Sequence, residues 1–187
     1  MPELAGNLPP KFDKLVGVMI SIKLTISAVA MLILPVTFFF VVIFRYIFEL
    51  DLFAYEEWLL PISFWLYFMA SAVGSYQGKQ IRADILESYF KSPKANWIRR
   101  VIVSCIELFI SLAVVYWALL MIIGEFQAYP YWQNTIVLKI PFLVPRLGIF
   151  LGFLFMAFYG FLHLYVLLKL GVQVVENERI SNSNGAK

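Results

Sequence analysis

Residues 45–84 read RYIFELDLFAYEEWLLPISFWLYFMASAVGSYQGKQIRAD: an acidic loop, an uncharged run from Trp58 to Gly78, then a basic loop. A helix rises 1.5 Å per residue, and about 20 apolar residues cross a hydrocarbon core of about 30 Å, so the uncharged run has the length of one membrane span. Working outward, three more gaps of similar length separate the charges: Leu24 to Phe44, Val101 to Gly124 (interrupted by Glu107) and Leu147 to Leu168. With 61% hydrophobic and 14% charged residues over 187 positions, the chain has too little polar surface for a soluble globule. Helices are required because each span must satisfy its own backbone hydrogen bonds in lipid. The expected fold is therefore all-α: one membrane domain over residues 1–187 with four transmembrane helices and short tails at 1–14 and 177–187, the second polar enough to be disordered.

Lys and Arg set the orientation. The N-terminal segment (Lys11, Lys14, Lys23), the middle loop (Lys79, Arg82, Lys91, Lys94, Arg99, Arg100) and the C-terminal segment (Lys169, Arg179, Lys187) hold 12 of the 15 cations. The first loop has Arg45 and the third has Lys139 and Arg146, so the positive-inside bias predicts both termini in the cytoplasm. The net charge of +3 then implies contact with anionic lipid headgroups rather than with nucleic acid. A signal peptide cleaved after Ala28-Val29-Ala30 is the competing reading of the N-terminus, but Lys23 interrupts its apolar region. Cys105, the single cysteine, excludes an intramolecular disulfide and is expected to pack as a small apolar residue in helix three.

Between helices two and three, Ile81, Ile85, Leu86, Tyr89 and Phe90 share one helical face opposite Asp84, Glu87 and Lys91, which predicts an amphipathic interfacial helix. Ser92-Pro93 then reads as the cap and first turn of helix three. From Pro93 to Gly124 that helix would be about 48 Å long, so it is expected to tilt or to project from the membrane. Ala70, Gly74 and Gly78 recur every four residues at the end of helix two, and Gly148, Gly152 and Gly160 mark helix four; such spacings let helix backbones approach closely. Pro35 falls mid-span in helix one, and Tyr129, Tyr131 and Trp132 read as an aromatic belt at the outer interface.

Chemistry is sparse. One histidine and one cysteine exclude a bis-histidine haem site or a dithiol relay within the chain, and no phosphate loop, nucleophile elbow or metal-ligand pair is present. No cofactor and no catalytic residue is expected. Two ionisable groups fall inside the spans: Glu107 lies seven residues beyond Arg100 and His163 six before Lys169, each about 10 Å in from the cytoplasmic side. Equal depth allows a Glu107–His163 hydrogen bond, read as a structural pair in preference to a proton relay. On the outer side Glu49, Asp51, Glu56 and Glu57 stand against the single cation Arg45, which is placed at the outer end of helix one to partner one of them. Asp51 is placed to cap helix two, and Glu56 and Glu57 fall where its dipole favours negative charge. Such an acidic rim is either solvated or a docking surface for another protein.

Arg45-Tyr46-Ile47-Phe48, Tyr55-Glu56-Glu57-Trp58, the helix bearing Trp65, and Gly78-Lys79-Gln80-Ile81-Arg82-Ala83-Asp84-Ile85 resemble the small membrane subunit of tripartite ATP-independent periplasmic (TRAP) transporters. That family's pattern has an Arg closing the first helix, a Glu-Glu-like start to the second and a Gly-x-His-Ile-x-x-Asp-like exit, with Gln80 standing here where histidine is frequent. The resemblance implies a non-catalytic subunit in a bacterial inner membrane, a scaffold for a large membrane subunit in uptake of an organic acid-type solute. It also implies a periplasmic solute-binding protein as the second partner and a sodium-coupled solute site in the large subunit, not in this chain. Arg45, Glu56, Glu57, Gly74, Gly78 and Asp84 become the candidate interface or structural positions. An unrelated four-helix membrane enzyme or redox protein and a stand-alone channel are the alternatives.

Overall fold

The computed structural model describes residues 10–50, 52, 54–78 and 92–172. These residues form four α-helices, α1 (Pro10–Tyr46), α2 (Tyr55–Gln77), α3 (Pro93–Gln127) and α4 (Leu143–Leu170), with one isolated antiparallel bridge between Asn134 and Pro141. All four are long and apolar enough to cross a membrane. At 1.5 Å per residue, the 37 residues of α1 and the 35 of α3 reach about 55 and 52 Å, well beyond a hydrocarbon core. Both must tilt or extend past it.

Helix boundaries follow backbone chemistry in some places and depart from the sequence expectation in others. α1 already begins at Pro10, inside the stretch read as a tail, and runs without a break through Pro35. The N-cap of α2 is Ala54 in a left-handed conformation with no side-chain cap bond, not Asp51; Asp51 itself lies outside the described residues. Gly78 closes α2 in the left-handed region, its N–H returning to the carbonyls of Gly74 and Ser75, a geometry that glycine adopts without steric cost. Ser92 and Pro93 open α3 as expected from the sequence, although the Ser92 hydroxyl makes no cap bond. The expected interfacial helix at 81–91 falls outside the described residues. Within the apolar spans, hydroxyls turn back on their own helices: Thr25 donates to the Ser21 carbonyl (2.9 Å), Thr37 to Ile33 (2.8 Å) and Ser63 to Leu59 (2.9 Å).

The helices stand in a row: α1 packs on α2, α2 on α4 and α4 on α3. A closed bundle would add an α1–α3 seam; instead those two helices form the ends of the row. The tightest approach is between α2 and α4. A Cβ added at Gly152 would come within 2.5 Å of Phe68 Cβ and 3.1 Å of its carbonyl oxygen, and one at Gly148 would come within 3.3 Å of the Trp65 indole. Phe68 and Phe153 continue this seam, their ring centres 5.4 Å apart. The main buried cluster is small and off-centre: Val16 of α1 with Tyr159, Leu162 and Val166 of α4, flanked by Ile20, Tyr76, Phe155, Phe158 and Leu170. The buried positions of α1 are Val16, Lys23, Ala30 and Thr37, one every seven residues, so a single narrow stripe of this helix faces the row.

Candidate functional site

Two polar clusters lie towards opposite ends of the helices. One is at the loop end, where α1 and α2 are joined and α3 turns into α4; the other is towards the terminal end, where α1 starts and α4 finishes. Neither brings together nucleophile, base and electrophile, and among the described residues no group of His, Cys, Asp and Glu is placed to hold a metal.

At the loop end, Glu57 in the first turn of α2 accepts the backbone N–H groups of Val137 (2.9 Å) and Leu138 (2.7 Å) from the α3–α4 loop. This loop folds on itself like a short hairpin: Thr135 N–H donates to the Ile140 carbonyl (3.0 Å), Ile140 N–H to the Thr135 hydroxyl (2.9 Å), and Phe142 N–H to the Gln133 carbonyl (3.0 Å). Arg146, in the first turn of α4, pairs with the Glu125 carboxylate at the end of α3 and donates to the Gln133 side chain (3.0 Å). Trp65 Nε1 reaches the Val144 carbonyl (3.1 Å). The loop is therefore tied to α2, α3 and α4 by side chains, while Tyr131 (88% exposed) and Ile136 (91% exposed) project from it. Tyr129 and Trp132 meet edge to face, 5.6 Å between ring centres.

Towards the terminal end, Lys23 of α1 is buried, 3% exposed, and donates to the Tyr159 hydroxyl of α4. Its ammonium also lies 3.6 Å from the Phe155 ring centre and 4.3 Å from that of Tyr159, at the short end of cation–π distances. Tyr76 of α2 packs against Tyr159 with ring centres 5.5 Å apart. The imidazole Nε2 of His163 sits 3.2 and 3.0 Å from the carbonyls of Ser75 and Tyr76 in the last turn of α2, where the Ser75 carbonyl also accepts the Gly78 N–H. Trp97 of α3 ties that helix to α4 through the Leu167 carbonyl (3.2 Å).

The residues singled out from sequence distribute unevenly over these clusters. Glu57 is in the loop-end cluster, as a clamp on a loop 80 residues away rather than as a partner of Arg45. Arg45 and Glu56 are exposed, and Arg45 makes no ion pair among the described residues. Gly78 ends α2, while at Gly74 nothing lies within 4 Å of an added Cβ and Ala70 is exposed, so among the described residues no helix packs on that edge. Asp84 lies outside the described residues. His163 is held by the end of α2, and Glu107 sits half-buried on α3. Cys105 is exposed on α3 rather than packed inside. Sequence reasoning missed Lys23, Tyr159, Glu125, Arg146 and Gln133 as partners. The available signal was Lys23 itself, a cation set into an apolar run, and the charges Glu125 and Arg146 bracketing one short loop.

No curated protein and no solved structure matches the chain. The family described as tripartite ATP-independent periplasmic transporters, DctQ component, matches residues 34–170, well over half of the sequence, and its span runs from mid-α1 to the last residue of α4. Four helices long and apolar enough to cross a membrane accord with that match; the chain belongs to this family and is a multi-pass membrane subunit of a TRAP transporter, not an enzyme.

Proposed function

We propose that the chain acts as the scaffold partner of the large membrane subunit, widening its fixed part while that subunit carries the solute and the coupling ion. One observation carries the reading: α2, inside an unclosed row, presents a small and partly polar face at membrane depth. Tyr67, Ala70, Ser71 and Gln77 are exposed there, and Gly74 between them has open space. α1 and α3 instead expose Leu, Ile, Val and Phe, as lipid-facing helices do, and α2 is the least apolar of the four spans. Small residues at helical spacing allow close backbone approach, the main source of helix association in lipid. Gly74 and the neighbouring Gly78 thus serve the contact with the large subunit, and Asp84, just beyond α2, anchors the segment that follows.

In this reading both termini are cytoplasmic, in accord with the Lys and Arg distribution, and the loop end faces the periplasm of a bacterial inner membrane. Arg45 and Glu56 are exposed there, beside the loop that Glu57 holds, and contribute to the surface that meets the periplasmic binding protein delivering an organic acid-type solute. The chain brings no cofactor, and sodium coupling resides in the large subunit. A row of helices encloses no lumen, which disfavours a stand-alone channel.

Co-purification decides the matter. A tagged chain expressed with its large subunit is expected to recover it in stoichiometric amount, and uptake is expected to require both. A stable monomer alongside a large subunit that transports normally alone would overturn the proposal.

A further inference from the structure

We propose that Lys23 sets the axial register of α1 against the rest of the row. The inward stripe of α1 repeats every seven residues, and apart from Lys23 its members are Val16, Ala30 and Thr37, all uncharged and much shorter than lysine. A shift by one repeat, about 10.5 Å along the helix, would seat one small side chain where another had been and leave the outward face of Leu, Ile, Val and Phe unchanged in character. Packing of these short, uncharged side chains distinguishes the two positions by volume alone.

Lys23 does discriminate, because its seat occurs once. The ammonium donates to the Tyr159 hydroxyl and lies against the faces of Phe155 and Tyr159; Tyr159 is fully buried and backed by Tyr76 of α2. Seven residues either side of Tyr159 on α4 stand Gly152 and Val166, and seven either side of Phe155 stand Gly148 and Leu162. None of these four offers a side-chain acceptor or a ring, so a slip by one repeat would move the ammonium off the Tyr159 hydroxyl and the faces of Phe155 and Tyr159 to a position flanked by apolar side chains or glycine, a poorer seat for a cation in lipid. A single buried charged residue in a seven-residue seam whose other members are uncharged, the Thr37 hydroxyl being satisfied within its own helix, is a known device for specifying register, at some cost in stability. It is needed here because α1 lies at one end of the row and has only one flank held by neighbours.

The test is oxidative cross-linking in membranes containing the whole transporter, in a Cys105→Ala background. Val16→Cys with Leu162→Cys reports the α1–α4 register, since both positions share one buried cluster; Phe68→Cys with Phe153→Cys reports the α2–α4 seam. Lys23→Met is expected to lower the first yield by roughly threefold or more and leave the second unchanged, with Lys23→Arg restoring much of the first. Unchanged yields in both pairs would overturn the proposal. Parallel loss in both would also overturn it, since Lys23 would then support the whole fold and not the register of α1. Should Lys23→Met fail to accumulate, Tyr159→Phe decides: it keeps the ring and removes only the acceptor, so selective loss of the Val16–Leu162 cross-link supports the proposal and retention of it refutes it.

Discussion

Glu57 gives its carboxylate to two consecutive backbone N–H groups, so its role is to hold the α3–α4 loop, and a side chain with one neutral acceptor should hold it less well. Charge-assisted bonds are about twice as strong as neutral ones. Glu57→Gln is therefore expected to speed hydrogen exchange at the Val137 and Leu138 amides on the order of tenfold, with the helices unaffected; mass spectrometry of the subunit in nanodiscs would read this. Glu125 is different because it is 3% exposed and its salt-bridge partner Arg146 is itself a quarter covered by solvent, at 26%. Arg146→Met leaves the carboxylate buried and unpaired. The expected loss is roughly 2–3 kcal/mol, below that of a sealed pair because Arg146 reaches water. The double variant Glu125→Gln with Arg146→Met should recover part of it in a thermal unfolding series, and simple additivity of the two single losses would refute the pairing. Neither role is visible along the chain, since a carboxylate near a helix start satisfies the dipole rule equally well with or without a loop bound to it.

Among the elements, α2 and α4 carry two sets of small residues with opposite uses. On α4, Gly152 is required by close approach to Phe68, and Gly152→Ala should cost about 1–3 kcal/mol through overpacking, read as a lower melting temperature of the isolated subunit. On α2, Gly74→Ala meets nothing within 4 Å and should be neutral or slightly stabilising, because alanine favours helix by up to about 1 kcal/mol over glycine. Sequence spacing marked both sets as equal candidates for packing. The distinction depends on which faces of α2 and α4 meet, and that is a property of the pair of helices.

At the scale of the whole molecule, the open row predicts that stability and assembly can be separated. Gly74→Leu should leave the isolated subunit's melting temperature within about 1 kcal/mol equivalent of the parent, since surface substitutions away from packed features are near neutral. Recovery of the large subunit in pull-down should nevertheless fall sharply; equal recovery would place the contact elsewhere. The four spans were legible in the order of residues because hydrocarbon imposes a length and forbids charge, constraints that act on each segment alone. For the same reason Ser92-Pro93 marked the start of α3 and Gly78 the end of α2. Lys23 was legible as a cation but not as a buried one: it counted towards a basic N-terminus, while its partner Tyr159 lies 136 positions away. The pairing of His163 with the end of α2, the clamp of Glu57 on Val137 and Leu138, and, among the described residues, the lack of an extended α1–α3 seam likewise depend on which helices become neighbours. In lipid that choice draws little on apolarity, which every span shares, and rests on the few polar and small residues that must find a match across the row. The sequence by itself determined a four-helix membrane subunit and its family; only the tertiary structure decided which faces of the described helices are covered by one another and which stay open, because that depends on which helices become neighbours.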